Sequence, residues 1–80
     1  GHGVGRFIHE PPMVPNIYSS ADRQRLTEGL VIAIEPFLTK GSGAIIEADD
    51  GWTLKTADGS LPCQFDHTVV ITKGNPIVLT

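Results

Sequence analysis

Three histidines and nine carboxylates occur in the 80-residue chain, and four of these twelve have the type and setting that metal-assisted chemistry needs. His2 lies in Gly1-His2-Gly3-Val4-Gly5-Arg6 and His9 in His9-Glu10-Pro11; Glu35 lies in Ile34-Glu35-Pro36 and Asp66 in Gln64-Phe65-Asp66-His67-Thr68. Imidazole suits Mn, Fe, Co or Zn, and carboxylates complete such sites. Each candidate stands in a turn marked by Gly or Pro or beside a β-rich run, and together they span the chain. That spread fits a metal site assembled across a fold, against the competing reading of a charged surface without pattern. Taken singly, His2 reads as a surface residue, Glu35 as a solvated strand end and His9 as a core histidine or capping donor. Asp66 is more suggestive, because a carboxylate buried in an apolar run is costly unless it is paired or metal-bound.

The elements that must position these groups are mostly strands. Pro11, Pro12 and Pro15, with Gly1, Gly3 and Gly5, predict an extended and turning segment over 1–18. Ser19 to Glu28 is the only polar run of helix formers; it predicts one or two helical turns, capped by Ser19 or Ser20 and stopped at Gly29. From Leu30 the pattern is β: Leu30 to Glu35, Ala44 to Glu47, Trp52 to Thr56, Phe65 to Thr72 and Ile77 to Leu79. Turns are expected at 41–43, 49–51, 57–60 and 74–75, and this spacing indicates an antiparallel β-rich piece. Period-two alternation sets Asp66 and His67 on opposite faces and gathers Val31, Ala33 and Glu35 on one. If the two strands are neighbours, Glu35 and Asp66 converge.

Composition limits the alternatives. Eighty residues allow one thin domain, and 40% hydrophobic content is too high for a disordered segment. A net charge of −3 without a basic cluster gives nucleic-acid binding little electrostatic support. Apolar stretches are far too short to span a bilayer and no signal-peptide pattern appears, so no membrane partner is expected. Cys63, the single cysteine, cannot form an internal disulfide, and a reducing, cytoplasmic compartment is the default. Cys63 itself is expected to be a buried small residue. Gly1-His2-Gly3 opens without an initiator Met, and its continuation into Val4-Gly5-Arg6 marks a motif rather than a tag remnant. The expectation is a chain cut from a longer protein, or one half of a split one.

Read jointly, these strings resemble the methionine aminopeptidases of the bacterial type (type I), which have the pita-bread fold. The resemblance runs in order through Gly1 to Arg6, His9-Glu10-Pro11-Pro12, Leu30 to Pro36, Gly51-Trp52-Thr53 and Gln64 to Thr72. It implies an α+β pita-bread fold of which residues 1–80 are the C-terminal catalytic half, mostly antiparallel β. The implied activity is removal of the N-terminal initiator methionine from proteins and peptides by hydroxide attack at a dinuclear centre of Co, Mn, Fe or Zn. His2, Glu35 and Asp66 would be metal ligands, with Glu35 also helping to deprotonate the attacking water and Asp66 bridging both ions. His9 would be a catalytic, substrate-binding histidine that hydrogen-bonds the scissile peptide, and Ile8 and Trp52 would line the pocket for the methionine side chain.

Two departures from the family pattern stand out. Asp66 occupies a position usually held by Glu, with oxygens about 1.5 Å nearer the backbone, so weaker binding of the second ion or a different preferred metal is expected. Pro62-Cys63 stands where small residues are common. The resemblance also implies two aspartates and a histidine from an N-terminal half, so the 80 residues alone are expected to lack peptidase activity and to expose a sheet face and edges. A proline-specific pita-bread peptidase is the nearest alternative; those tend to have Gly after Glu-Pro and Arg before the last carboxylate, where this chain has Phe37 and Gln64-Phe65. A non-catalytic pita-bread binding module is the other, disfavoured by retention of His2, His9 and Glu35.

Overall fold

Every regular element in the computed structural model, which describes residues 1–80, is a β-strand. The strands are β1 (His2–Gly3), β2 (Glu10–Met13), β3 (Val31–Ile34), β4 (Phe37–Thr39), β5 (Ile45–Glu47), β6 (Leu54–Thr56), β7 (Pro62–Gln64), β8 (His67–Val70) and β9 (Ile77–Val78). Five form an antiparallel sheet in the order β2-β1-β3-β8-β9, while β4 pairs with β7 and β5 with β6.

The three pairings β3–β8, β4–β7 and β5–β6 form a single ribbon. Val31 faces Val70, Leu38 faces Cys63 and Ile46 faces Lys55. Each step forward on one strand is matched by one step back on the other, with no slip. Backbone bonds from the Ile71 amide to Leu30, from Ala57 to Ala44 and from Ala48 to Thr53 keep the same register. Of the three turns expected between residues 41 and 60, only the one at Asp49-Asp50-Gly51 reverses the chain. Segments 41–43 and 57–60 instead lie opposite each other and bend the ribbon. The reason is local: Asp58 accepts hydrogen bonds from the Ser42 and Ser60 amides and the Ser60 hydroxyl, so its carboxylate replaces ladder bonds there. A β-carbon at Gly41 would collide with Ser60 and Asp58, and Gly43 and Gly59 have φ of 77° and 74°. The second break, at Glu35-Pro36 opposite Phe65-Asp66, falls where Pro36 has no N–H to give to a ladder.

The helical turns expected over 19–28 do not form, so the α component is absent from these residues. Ser19 Oγ accepts from the Ala21 amide and Asp22 Oδ1 from the Gln24 amide, local bonds that compete with a helix. Residues 19–28 are also exposed throughout and have no packed face to sustain one. Gly29, with φ of 86°, turns the chain into β3.

Burial concentrates where β1, β3 and β8 meet: Ile32, Ala33 and Val69 are the buried hydrophobic residues. Cys63, expected to be buried, is exposed, because β4 and β7 form a two-stranded ribbon with no layer over it.

Candidate metal centre

The glycines flanking His2 are required by close backbone approach. A β-carbon at Gly1 would overlap the Ala33 carbonyl, and one at Gly3 would overlap the Pro11 carbonyl. With hydrogen there instead, β1 is squeezed between β2 and β3, and Gly1 and Val14 exchange backbone hydrogen bonds of 2.8 and 2.9 Å. The irregularity between His2 and Gly3 in the β1–β2 register is therefore flanked by two residues, Gly1 and Gly3, that have no side chain to clash.

His2 pairs with Ala33, which pairs with Thr68. By alternation these three share a face, and Glu35, two residues past Ala33, continues it. His2 Nε2 lies 3.5 Å from Glu35 Oε2, with the two side chains 16% and 34% exposed. The other ring nitrogen, Nδ1, donates to the Gly3 carbonyl at 2.8 Å, since a carbonyl can only accept. That bond orients the ring and, in the neutral imidazole, leaves the Nε2 lone pair toward Glu35. Two donors about 2.0–2.2 Å from a common ion at a near-tetrahedral angle stand about 3.4 Å apart. The His2–Glu35 separation fits that requirement, and the N,O donor pair is suited to a borderline divalent cation.

The remaining candidates are placed as follows. Continued through the break, the ribbon register sets Asp66 opposite Glu35 on the neighbouring strand, but its side chain forms no cluster with His2 and Glu35. Asp66 is exposed, and no group of three His, Cys, Asp or Glu side chains is close enough to hold an ion. Phe65 and His67, whose rings lie 4.9 Å apart, occupy the opposite face. His9 comes back from the loop between β1 and β2 to put its ring 4.3 Å from that of His2, at an interplanar angle of 57°. Ile8, in the same loop, is 75% exposed, and Trp52 is 87% exposed beside the ribbon tip. Neither lines the hollow of about 340 Å³ along Met13 to Leu26 or the one of about 220 Å³ against Phe37, Ile45, Leu54 and Pro62. Sequence reasoning missed Asn16, whose side-chain amide donates to the Glu35 carbonyl at 3.2 Å. A contact across 19 residues of chain leaves no local signal.

The site is a histidine nitrogen and a carboxylate oxygen 3.5 Å apart on one face of an antiparallel sheet. Residues 1–73 match the model of Metallopeptidase family M24, and the chain belongs to that family. It is 52% identical to a methionine aminopeptidase of Aquifex aeolicus and 49% identical to methionine aminopeptidase 2 of Bacillus subtilis, in each case over 100% of this chain and 32% of the relative. Among solved structures it is similar to methionine aminopeptidase from Thermotoga maritima, with a TM-score of 0.91 and 40% identity over 99% of this chain and 32% of that one. The enzyme from Rickettsia prowazekii gives a TM-score of 0.89 and 36% identity, over 96% and 32%. The chain thus spans about a third of the length of the relatives it matches. No helix is long and apolar enough to cross a membrane.

Proposed function

We infer that the chain is a C-terminal portion, about a third of the length, of a pita-bread methionine aminopeptidase, which removes N-terminal methionine from peptides and nascent proteins, and that it works in the cytoplasm. The observation that carries this reading is the His2–Glu35 pair, oriented by the Gly3 carbonyl, in a chain of family M24. His2 and Glu35 would hold a divalent ion, with Asp66 a further carboxylate ligand; Co, Mn, Fe and Zn all suit this donor set. Divalent ions bound there supply Lewis-acid polarisation of a peptide carbonyl and a water acidic enough to react at neutral pH.

The chain's own residues have distinct parts. His2 and Glu35 would hold the ion on the sheet. Glu35 takes a proton from the attacking water, a role for which a carboxylate on the site's face is suited. His9, beside His2, donates to the scissile peptide and orients it. Ile8 and Trp52 contact the methionine side chain, where the indole ring offers a sulfur–aromatic contact. An N-terminal portion of the protein supplies the remaining ligands.

Hydrolysis of a Met-Ala-Ser peptide by the full-length protein tests this reading. Release of methionine is expected, abolished by chelation, restored by added divalent metal and lost in Glu35→Gln. A full-length protein that binds no metal and releases no methionine is instead a binding module. Equal metal occupancy in the parent and its Asp66→Glu variant would reject the idea that the shorter side chain weakens the second site.

A further inference from the structure

His9 touches His2 through its ring and makes no hydrogen bond of its own within the chain, so its place over the site is set by the backbone loop that carries it. That loop, residues 4–9, is a turn without a ladder; one backbone bond, from the Gly5 amide to the Phe7 carbonyl at 3.2 Å, crosses it. The other tie is a side chain. Glu10, which pairs with Gly3 at the start of β2, accepts the Phe7 amide on Oε1 at 2.9 Å. Its carboxylate fits because Gly5 has no side chain: a β-carbon there would stand 2.6 Å from Glu10 Oε2. Glu10 is half-buried and enters no salt bridge, so its carboxylate is committed to this loop.

We propose that Glu10 is a positioning residue: its carboxylate pins the loop through the Phe7 amide and thereby holds His9 against His2. It does not reach the reacting atoms. The proposal rests on the reading of His9 as the group that orients the substrate, and on the geometry of the loop independently of that reading. Misplacing a catalytic group by about 1 Å can cost on the order of a hundredfold in rate.

The test uses the full-length protein. Glu10→Ala is expected to lower kcat for methionine release by about tenfold to a hundredfold while leaving KM within about threefold. Glu10→Gln, which keeps an acceptor oxygen, should recover most of the loss. By NMR, the nuclear Overhauser contact between the His2 and His9 rings should be present in the parent and in Glu10→Gln and absent in Glu10→Ala. In the parent, the Phe7 amide should also be protected from hydrogen exchange, a measurement that needs no variant to fold. A retained ring contact and unchanged kcat in Glu10→Ala, or a fully unprotected Phe7 amide in the parent, would overturn the proposal. If the parent releases no methionine at all, the functional reading fails, while the ring contact and the amide protection still decide the role of Glu10.

Discussion

At the scale of single residues, the absence of side chains around His2 matters as much as the donors themselves. Gly1 and Gly3 let two neighbouring carbonyls approach the strand, and the alignment of His2 with Ala33 and Glu35 depends on that approach. Gly3→Ala should therefore destabilise the full-length protein by about 1–3 kcal/mol, as overpacking does, read as a lower midpoint in urea unfolding. Gly74→Ala, where an added β-carbon meets nothing within 4 Å, should stay within about 0.5 kcal/mol. Equal effects would show that the tight packing of β1 is not what limits these positions.

At the scale of elements, the ribbon from Leu30 to Ile71 keeps one register through two breaks, and the outer break depends on one carboxylate. The Ser60 hydroxyl, followed by the Ser42 and Ser60 amides, holds the Asp58 carboxyl well below the usual carboxylate range. A depressed folded-state pKa stabilises fully above the unfolded value near 4 and loses that contribution as pH falls toward the folded one. The bend should accordingly be tight at neutral pH and loosen in acid below about pH 4. The protection of the Ser42 and Ser60 amides, taken relative to their intrinsic exchange rates at each pH, should fall in acid in the parent and lose that dependence in Asp58→Asn; protection in the parent that does not change in acid would contradict it. Much of the ribbon could be read from sequence. The β-branched run at Leu30 to Ile34, the turn at Asp49-Asp50-Gly51 and the hairpin at Gly74-Asn75 follow from local chemistry. The mutual facing of 41–43 and 57–60 did not, because glycine-rich bends and chain reversals have the same composition and differ only in what stands across from them. The expected helix at 19–28 failed for a related reason: its propensity was real, but no apolar face existed to anchor it. For the site, the residue types of His2, Glu35 and Asp66 and the strand faces of the two carboxylates follow from sequence and alternation, whereas the placing of His2 against Glu35 and the contacts of Asn16 and Glu10 depend on packing and loop closure.

At the scale of the whole molecule, the chain is open. Its accessible surface is 6691 Å², against about 4,700 Å² for a compact monomer of this mass. Its radius of gyration is 14.8 Å, against about 12 Å for a compact chain of this length. Leu38, Ile45, Leu54 and Phe65 are among the large apolar residues left exposed. The 80 residues on their own should associate and bind a hydrophobic dye, with sedimentation velocity showing concentration-dependent species; a sharp, dye-free monomer would contradict that. The site makes a more direct demand, since the pairing of β1 with β3 brings one imidazole nitrogen to 3.5 Å from one carboxylate oxygen. A crystal structure of the full-length protein soaked in a cobalt salt, with the ion located by anomalous scattering, tests this directly. The ion should lie about 2.0–2.2 Å from both His2 Nε2 and a Glu35 oxygen; cobalt bound elsewhere, with this pair left bare, would refute the metal centre.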